Sequence, residues 1–187
     1  MNAGVELMAG PGRGAQPPIE GTTGPAGIDP GLFRRVFGRF ATGVTVITTR
    51  CEGHEHAMTA NSVTSVSLEP LQILVCIHQD ARFHDALLDS GAWGVSVLSE
   101  RSRAVADWLA TPGRPLTGQL DRVAHHPGEI TGVPLLTQAL ARLECRTTAA
   151  HPAGDHTIVV GEVVGLSAPD DPDGPLVFYR GEYRSLG

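Results

Sequence analysis

The sequence predicts a mainly β fold, an antiparallel barrel that carries peripheral helices. Two observations predict it. Short β-branched or alternating segments bounded by turn residues recur along the chain. Only three segments show apolar residues at helical spacing. Many strands with few helices point to a closed antiparallel sheet.

The elements follow in order. Residues 1–28 are rich in Gly and Pro without periodicity, and read as a disordered tail with no core of its own. The folded domain spans 29–187. Asp29-Pro30 is a helix start, with proline near the first helical position. Leu32, Phe33, Val36, Phe37 and Phe40 then recur at helical spacing, with Arg34, Arg35 and Arg39 opposite. "TGVTVITT" (42–49) is a strand, "CEGHEHA" a turn, and 56–67 a second strand, so the two form a hairpin. "LQILVCI" (71–77) is apolar on both faces, as a central strand is. "DARFHDALLDSG" is a short helix capped by Asp80 and stopped by Gly91. "WGVSVL" is a strand. "SERSRAVADWLA" is a helix capped by Ser99, with Val105, Trp108 and Leu109 inward. Two long strands, "ALARLECRTTAA" and "HTIVVGEVVGLSA", flank the turn "HPAGD". "LVFYRGEYRSL" closes the chain as a hairpin about Arg180-Gly181.

Composition narrows the function. The 187 residues are 41% hydrophobic with a formal net charge of -6, which suits one globular domain and argues against a nucleic-acid surface. All 14 basic residues are arginine, which excludes a lysine Schiff base or P-loop lysine. Three widely spaced cysteines without a CxxC argue against a disulfide framework and for a reducing compartment, the cytoplasm. The first residues lack the basic and apolar regions of a signal peptide, and no apolar run is long enough to span a bilayer. The pairs His54/His56 and His125/His126 have no convincing third ligand, so no metal is expected.

The stretch "MTANSVTSVSLEP" (58–70) carries the chemistry. It places Thr59, Asn61, Ser62, Thr64, Ser65 and Ser67 in one extended segment. Alternation puts Thr59, Asn61, Ser65 and Ser67 on one face. A solvent-facing sheet surface is the simple reading. Against it, no charged residue occurs between Met58 and Leu68. The stretch also leads through one buried strand to a helix start bearing Arg82 and His84. A helix N-terminus offers N–H groups and a positive dipole end, so hydroxyls beside it could hold a phosphate.

Four segments, "FGRFATGVTVIT", "MTANSVTSVSLEP", "GDHTIVVGEV" and "FYRGEYRSL", occur in an order and spacing that resemble the flavin reductase family. These proteins are the reductase components of two-component flavin monooxygenases. The resemblance covers residues 31–186. It implies an FMN-binding split barrel, an antiparallel split β-barrel that is usually a homodimer. It implies NADH or NADPH as hydride donor, FMN or FAD as acceptor, and a separate monooxygenase receiving the reduced flavin.

By position, the resemblance assigns Thr59, Ala60, Asn61 and Ser62 to the isoalloxazine ring. It assigns Ser65, Val66, Ser67, Ala81, Arg82 and His84 to the ribityl chain and phosphate. His156, with Asp155 beside it, becomes the residue that places the nicotinamide, where a turn histidine alone would more simply be structural. Tyr179, Arg180 and Tyr183 become an aromatic wall by the flavin, against ordinary packing of a hairpin. Two other functions use the same fold: holding flavin without turnover, or reducing another acceptor such as a corrinoid.

Overall fold

Asp29 starts the first helix as its residue type requires. In the computed structural model, which describes residues 27–115, 117–170 and 173–186, the Asp29 carboxylate accepts the Leu32 N–H at 2.8 Å and opens α1, Pro30–Phe37. The expected tail lies outside the described residues except for Gly27 and Ile28. The apolar side of α1 does not enter the core. Phe33, Val36, Phe37 and Phe40 are all at least half exposed, with Phe33 and Phe37 stacked 5.7 Å apart.

The strands are β1 (Thr42–Gly43), β2 (Thr45–Cys51), β3 (His54–Ala60), β4 (Thr64–Leu68) and β5 (Leu71–His78). After α2 (Arg82–Ser90) come β6 (Ala92–Leu98), a 3₁₀ turn (Glu100–Ser102) and α3 (Arg103–Ala110). The rest are β7 (His125–Pro127), β8 (Pro134–Leu136), β9 (Ala139–Ala153), β10 (His156–Ser167), β11 (Val177–Tyr179) and β12 (Glu182–Arg184). One sheet has the order β3-β2-β6-β9-β10-β5-β4, antiparallel throughout. A second, β1-β11-β12, holds the closing hairpin, and β7-β8 forms a small third.

The large sheet must curl. Its edges are β3 and β4, yet only Asn61, Ser62 and Val63 join them. Four residue steps reach at most about 14 Å, so the two edges face each other across a gap. The result is a split barrel. The single strand expected over 56–67 is therefore two strands on opposite edges. Its alternation fails for the same reason. Residues 57–60 are buried on both faces, and Val66 is the extra residue where the β4–β5 register shifts between Ser65 and Ser67.

Three further expectations change. β5 is not central but second from the edge, with Ile73, Val75 and Ile77 inward and the alternate residues half-buried. The cap of α2 is Ala81 rather than Asp80, and no side chain bonds there. Gln79 and Asp80 instead lie in a turn closed by the Ala81 N–H on the His78 carbonyl, with the Asp80 N–H donating to His78 Nδ1 at 3.1 Å. Ser99 makes no capping bond, and Trp108 is 39% exposed, its indole N–H donating to the Gln119 carbonyl.

Trp93 fills the barrel interior beside Ile47, Val75, Ile77, Phe83, Leu87 and Val159. Gly161 permits it, since a Cβ there would lie 2.6 Å from the Trp93 ring. A second cluster packs α3 and the closing hairpin onto β2 and β6 through Val44, Val46, Leu98, Leu109, Phe178 and Tyr183. Buried Glu144 on β9 organises the 128–132 loop. Its carboxylate accepts the Ile130 N–H, the Thr131 N–H and the Thr131 hydroxyl.

Candidate active site at one end of the barrel

The register of β5 against β10 places His78 directly opposite His156. Gly154, at φ +65°, makes the tight turn that brings β9 back as β10. The turn is only Gly154-Asp155, because β9 runs on to Ala153. His156 Nδ1 stands 2.7 Å from Asp155 Oδ1. A carboxylate only accepts, so Nδ1 carries the proton and the neutral ring presents Nε2 as an acceptor. The hydrogen bond from the His156 ring holds the Asp155 carboxyl below its ordinary value. Gln79 ties the β5 end to the turn, its N–H donating to the Asp155 carbonyl and its amide to the His156 carbonyl.

The N-terminus of α2 lies alongside. His84 Nε2 is 2.9 Å from the Thr157 hydroxyl on β10, and its Nδ1 is 2.8 Å from Asp85. Arg82 donates to the Arg114 carbonyl at 2.7 Å. The Arg114 guanidinium donates in turn to the carbonyls of Ala57 and Thr111. Burial pulls the Arg114 guanidinium down to about 10, and the Arg82 charge adds to the effect. Neither arginine has a carboxylate partner among the described residues. An uncapped helix start beside two guanidiniums has the positive field that an anion needs.

The crossing segment closes the site. The Ser62 hydroxyl donates to the Cys76 carbonyl at 3.0 Å and accepts the Cys76 N–H at 3.3 Å. Asn61, Ser62, the end of β5, the Asp155-His156 turn and the start of α2 thus converge at one end of the split. The model of the flavin reductase like domain matches residues 37–187. The chain belongs to that family.

Relatives bear this out along most of the chain. An NADH-dependent flavin reductase from Rhodococcus sp is 41% identical over 167 residues, 85% of this chain and 88% of the relative. HsaB, the reductase subunit of a flavin-dependent monooxygenase of Mycobacterium tuberculosis, is 36% identical over 162 residues, 86% of this chain and 84% of the relative. BorF, the flavin reductase component of a bacterial two-component tryptophan halogenase, is 45% identical in its solved structure. It superposes with a TM-score of 0.80 over 84% of this chain and 98% of that one.

Within this flavin reductase the expected site residues separate. Asn61, Ser62, Ala81, Arg82, His84, Asp155 and His156 come together. Ser65, Val66 and Ser67 lie on the β4 edge that follows. Thr59 is a correction. It is 1% exposed, and its hydroxyl donates to the Ala106 carbonyl of α3 at 2.8 Å, so its side chain serves the core. Ala60 is equally buried, its carbonyl accepting the Thr45 hydroxyl. The Ser62 hydroxyl is engaged by the Cys76 backbone. Asn61 and Ser65 make no side-chain hydrogen bond among the described residues.

Tyr183 is the second correction. It is 8% exposed, packs edge-on against Phe178 at 5.6 Å, and lies under Arg103. Burial pushes its hydroxyl far above the ordinary tyrosine value. Its ring is core rather than wall. Tyr179 is half-buried beneath Arg180, on the three-stranded sheet beside the end of α1. His78, Arg114 and Thr157 were missed by sequence reasoning. Arg114 sits alone in a Gly/Pro loop, and His78 gains meaning only from the β5–β10 pairing.

Proposed function

We propose that this flavin reductase oxidises NADH and reduces FMN or FAD as a diffusible second substrate, releasing reduced flavin to a separate flavin-dependent monooxygenase. The observation that carries it is the meeting of two unlike sites at one end of the split. The α2 start with Arg82 and Arg114 suits a phosphate. The Asp155-His156 turn, on the strand paired with β5, offers an acceptor nitrogen.

The donor set fits a flavin mononucleotide unit. Flavin supplies a hydride-accepting N5 when bound; the protein needs no nucleophile. Arg82 and the first-turn N–H groups of α2 hold the phosphate. Asn61 offers an amide to the ring edge, and small residues about it leave space for a flat ring. His156 Nε2 accepts from the nicotinamide carboxamide and fixes the approach of the donor ring. Ser65, Val66 and Ser67 border the ribityl chain, and Tyr179 flanks the site from a second subunit. NADH, named for the Rhodococcus relative, is the favoured donor over NADPH.

The protein works as a homodimer in the cytoplasm. Exposed α1, Leu68 and Leu71 supply an apolar surface for the first. Three unpaired cysteines suit the second. Among the described residues no helix is long and apolar enough to cross a membrane.

Steady-state oxidation of NADH in air tests the reading, with FMN, FAD or no flavin added, and with NADPH in place of NADH. Oxidation that rises and saturates with added flavin supports it. A protein that binds flavin but oxidises neither nucleotide is a holding module, and the proposal fails.

A further inference from the structure

We infer that His78 is a positioning residue of the nicotinamide site: it holds Asp155 so that His156 keeps its acceptor nitrogen turned to the dinucleotide. The inference rests on the reading of His156 above. His78 Nδ1 accepts the Asp80 N–H at 3.1 Å. A nitrogen that accepts has no proton, so in the neutral ring the proton sits on Nε2. That Nε2 faces Asp155 Oδ2 at 3.6 Å, while Asp155 Oδ1 takes the His156 Nδ1 proton at 2.7 Å. One exposed carboxylate thus lies between two imidazoles, one on each oxygen.

The geometry is built rather than incidental. His78 and His156 are cross-strand partners with rings 5.0 Å apart, edge to face. His78 is the more enclosed, at 19% side-chain exposure against 37% for His156 and 75% for Asp155. An exposed aspartate on a two-residue turn would otherwise sample several rotamers. With Oδ2 facing His78, Oδ1 stays on His156, and the tautomer of His156 is fixed. The same ring, through Nδ1, accepts the Asp80 N–H within the turn just before α2. His78 therefore links the Asp155 turn to the chain that leads into α2.

Two substitutions divide these duties. His78→Asn keeps an acceptor for the Asp80 N–H and loses the group facing Asp155. His78→Gln places an amide N–H where Nε2 stood. With FMN saturating, His78→Asn should raise the NADH KM about three- to tenfold, the range of one modest hydrogen bond. Its FMN Kd should be unchanged, and His78→Gln should recover most of the loss. Histidine ¹⁵N spectra of the FMN-loaded protein give a second readout. In the parent His156 shows protonated Nδ1; in His78→Asn the two tautomers mix.

An unchanged KM with a fixed His156 tautomer in His78→Asn overturns the inference. So does a parallel rise in FMN Kd, which would mark a general loosening of the site. His156→Ala separates the two levels. If it raises the NADH KM and His78→Asn does not, only the role of His78 falls. If it too leaves the KM unchanged, the nicotinamide reading falls and takes this one with it.

Discussion

The bond from His156 Nδ1 to Asp155 leaves Nε2 as the ring's acceptor. His156→Ala should therefore raise the NADH KM about tenfold while leaving the flavin Kd nearly unchanged, as removal of one hydrogen-bond partner does. Steady-state kinetics with equilibrium flavin titration checks it; equal changes in both, or in neither, contradict the role. Arg82 should show the reverse. Arg82→Ala should weaken FMN binding about tenfold, the low end for a hydrogen bond to a charged group because the side chain is exposed. The loss should shrink at high salt, and fluorescence titration at two ionic strengths reads it. Sequence reasoning reached these two residues by different routes: Arg82 as an arginine at a helix start, His156 only through the family resemblance, since a turn histidine alone reads as structural. The roles of Thr59 and Tyr183 were not legible. A hydroxyl or a ring looks the same whether it faces a ligand or the Ala106 carbonyl and Phe178.

At the scale of elements, the lesson lies between Ala60 and Thr64. Nothing in "ANSVT" marks the break where the chain passes from one sheet edge to the other, since no Gly, Pro or charge interrupts it. Alternation assumes one continuous ladder, and β3 and β4 have different partners. The small polar side chains there do two jobs. Ser62 replaces missing ladder bonds by bracketing the Cys76 backbone, and Asn61 keeps its amide available. The closing hairpin was legible because Arg180 and Gly181 both adopt positive φ, as a tight hairpin turn requires.

Glu144 gives an element-scale prediction. Burial alone would push its carboxyl up, but the Thr131 hydroxyl and the N–H groups of Thr131, Ile130 and Glu129 outweigh it and hold the carboxyl below its ordinary value. A carboxylate depressed in the folded state stabilises above its unfolded pKa. That contribution fades as pH falls from near 4.5 through the folded value. Glu144→Gln should cost about 1–3 kcal/mol at neutral pH. The gap between the two proteins should narrow in acid, as urea unfolding at several pH values would show. A constant gap would mean that the carboxylate's charge is irrelevant to the loop.

At the scale of the whole molecule, the barrel class was legible from strand number and the hairpins, and its split from the family resemblance. The destination of α1 was not. Its spacing reads as a helix with one apolar side, and Phe33 and Phe37 on that side stack on each other outside the core. Periodicity tells which residues share a face, not whether that face meets this chain or another. For the proposed homodimer, sedimentation should give about twice the 19.7 kDa chain mass. Phe37→Glu should shift the population towards monomer without unfolding the barrel, because Phe37 is 56% exposed within one chain. A monomeric parent protein would leave the α1 ridge unexplained by self-association.

The central claim is that hydride passes to a flavin that then leaves. The direct measurement is anaerobic: mix the protein with FMN and NADH, follow the bleaching of flavin absorbance, and separate protein from small molecules by ultrafiltration. The account predicts bleaching that requires the protein and consumes one NADH per flavin, with the reduced flavin in the filtrate. Flavin that stays oxidised, or that is reduced but retained with the protein, would contradict it.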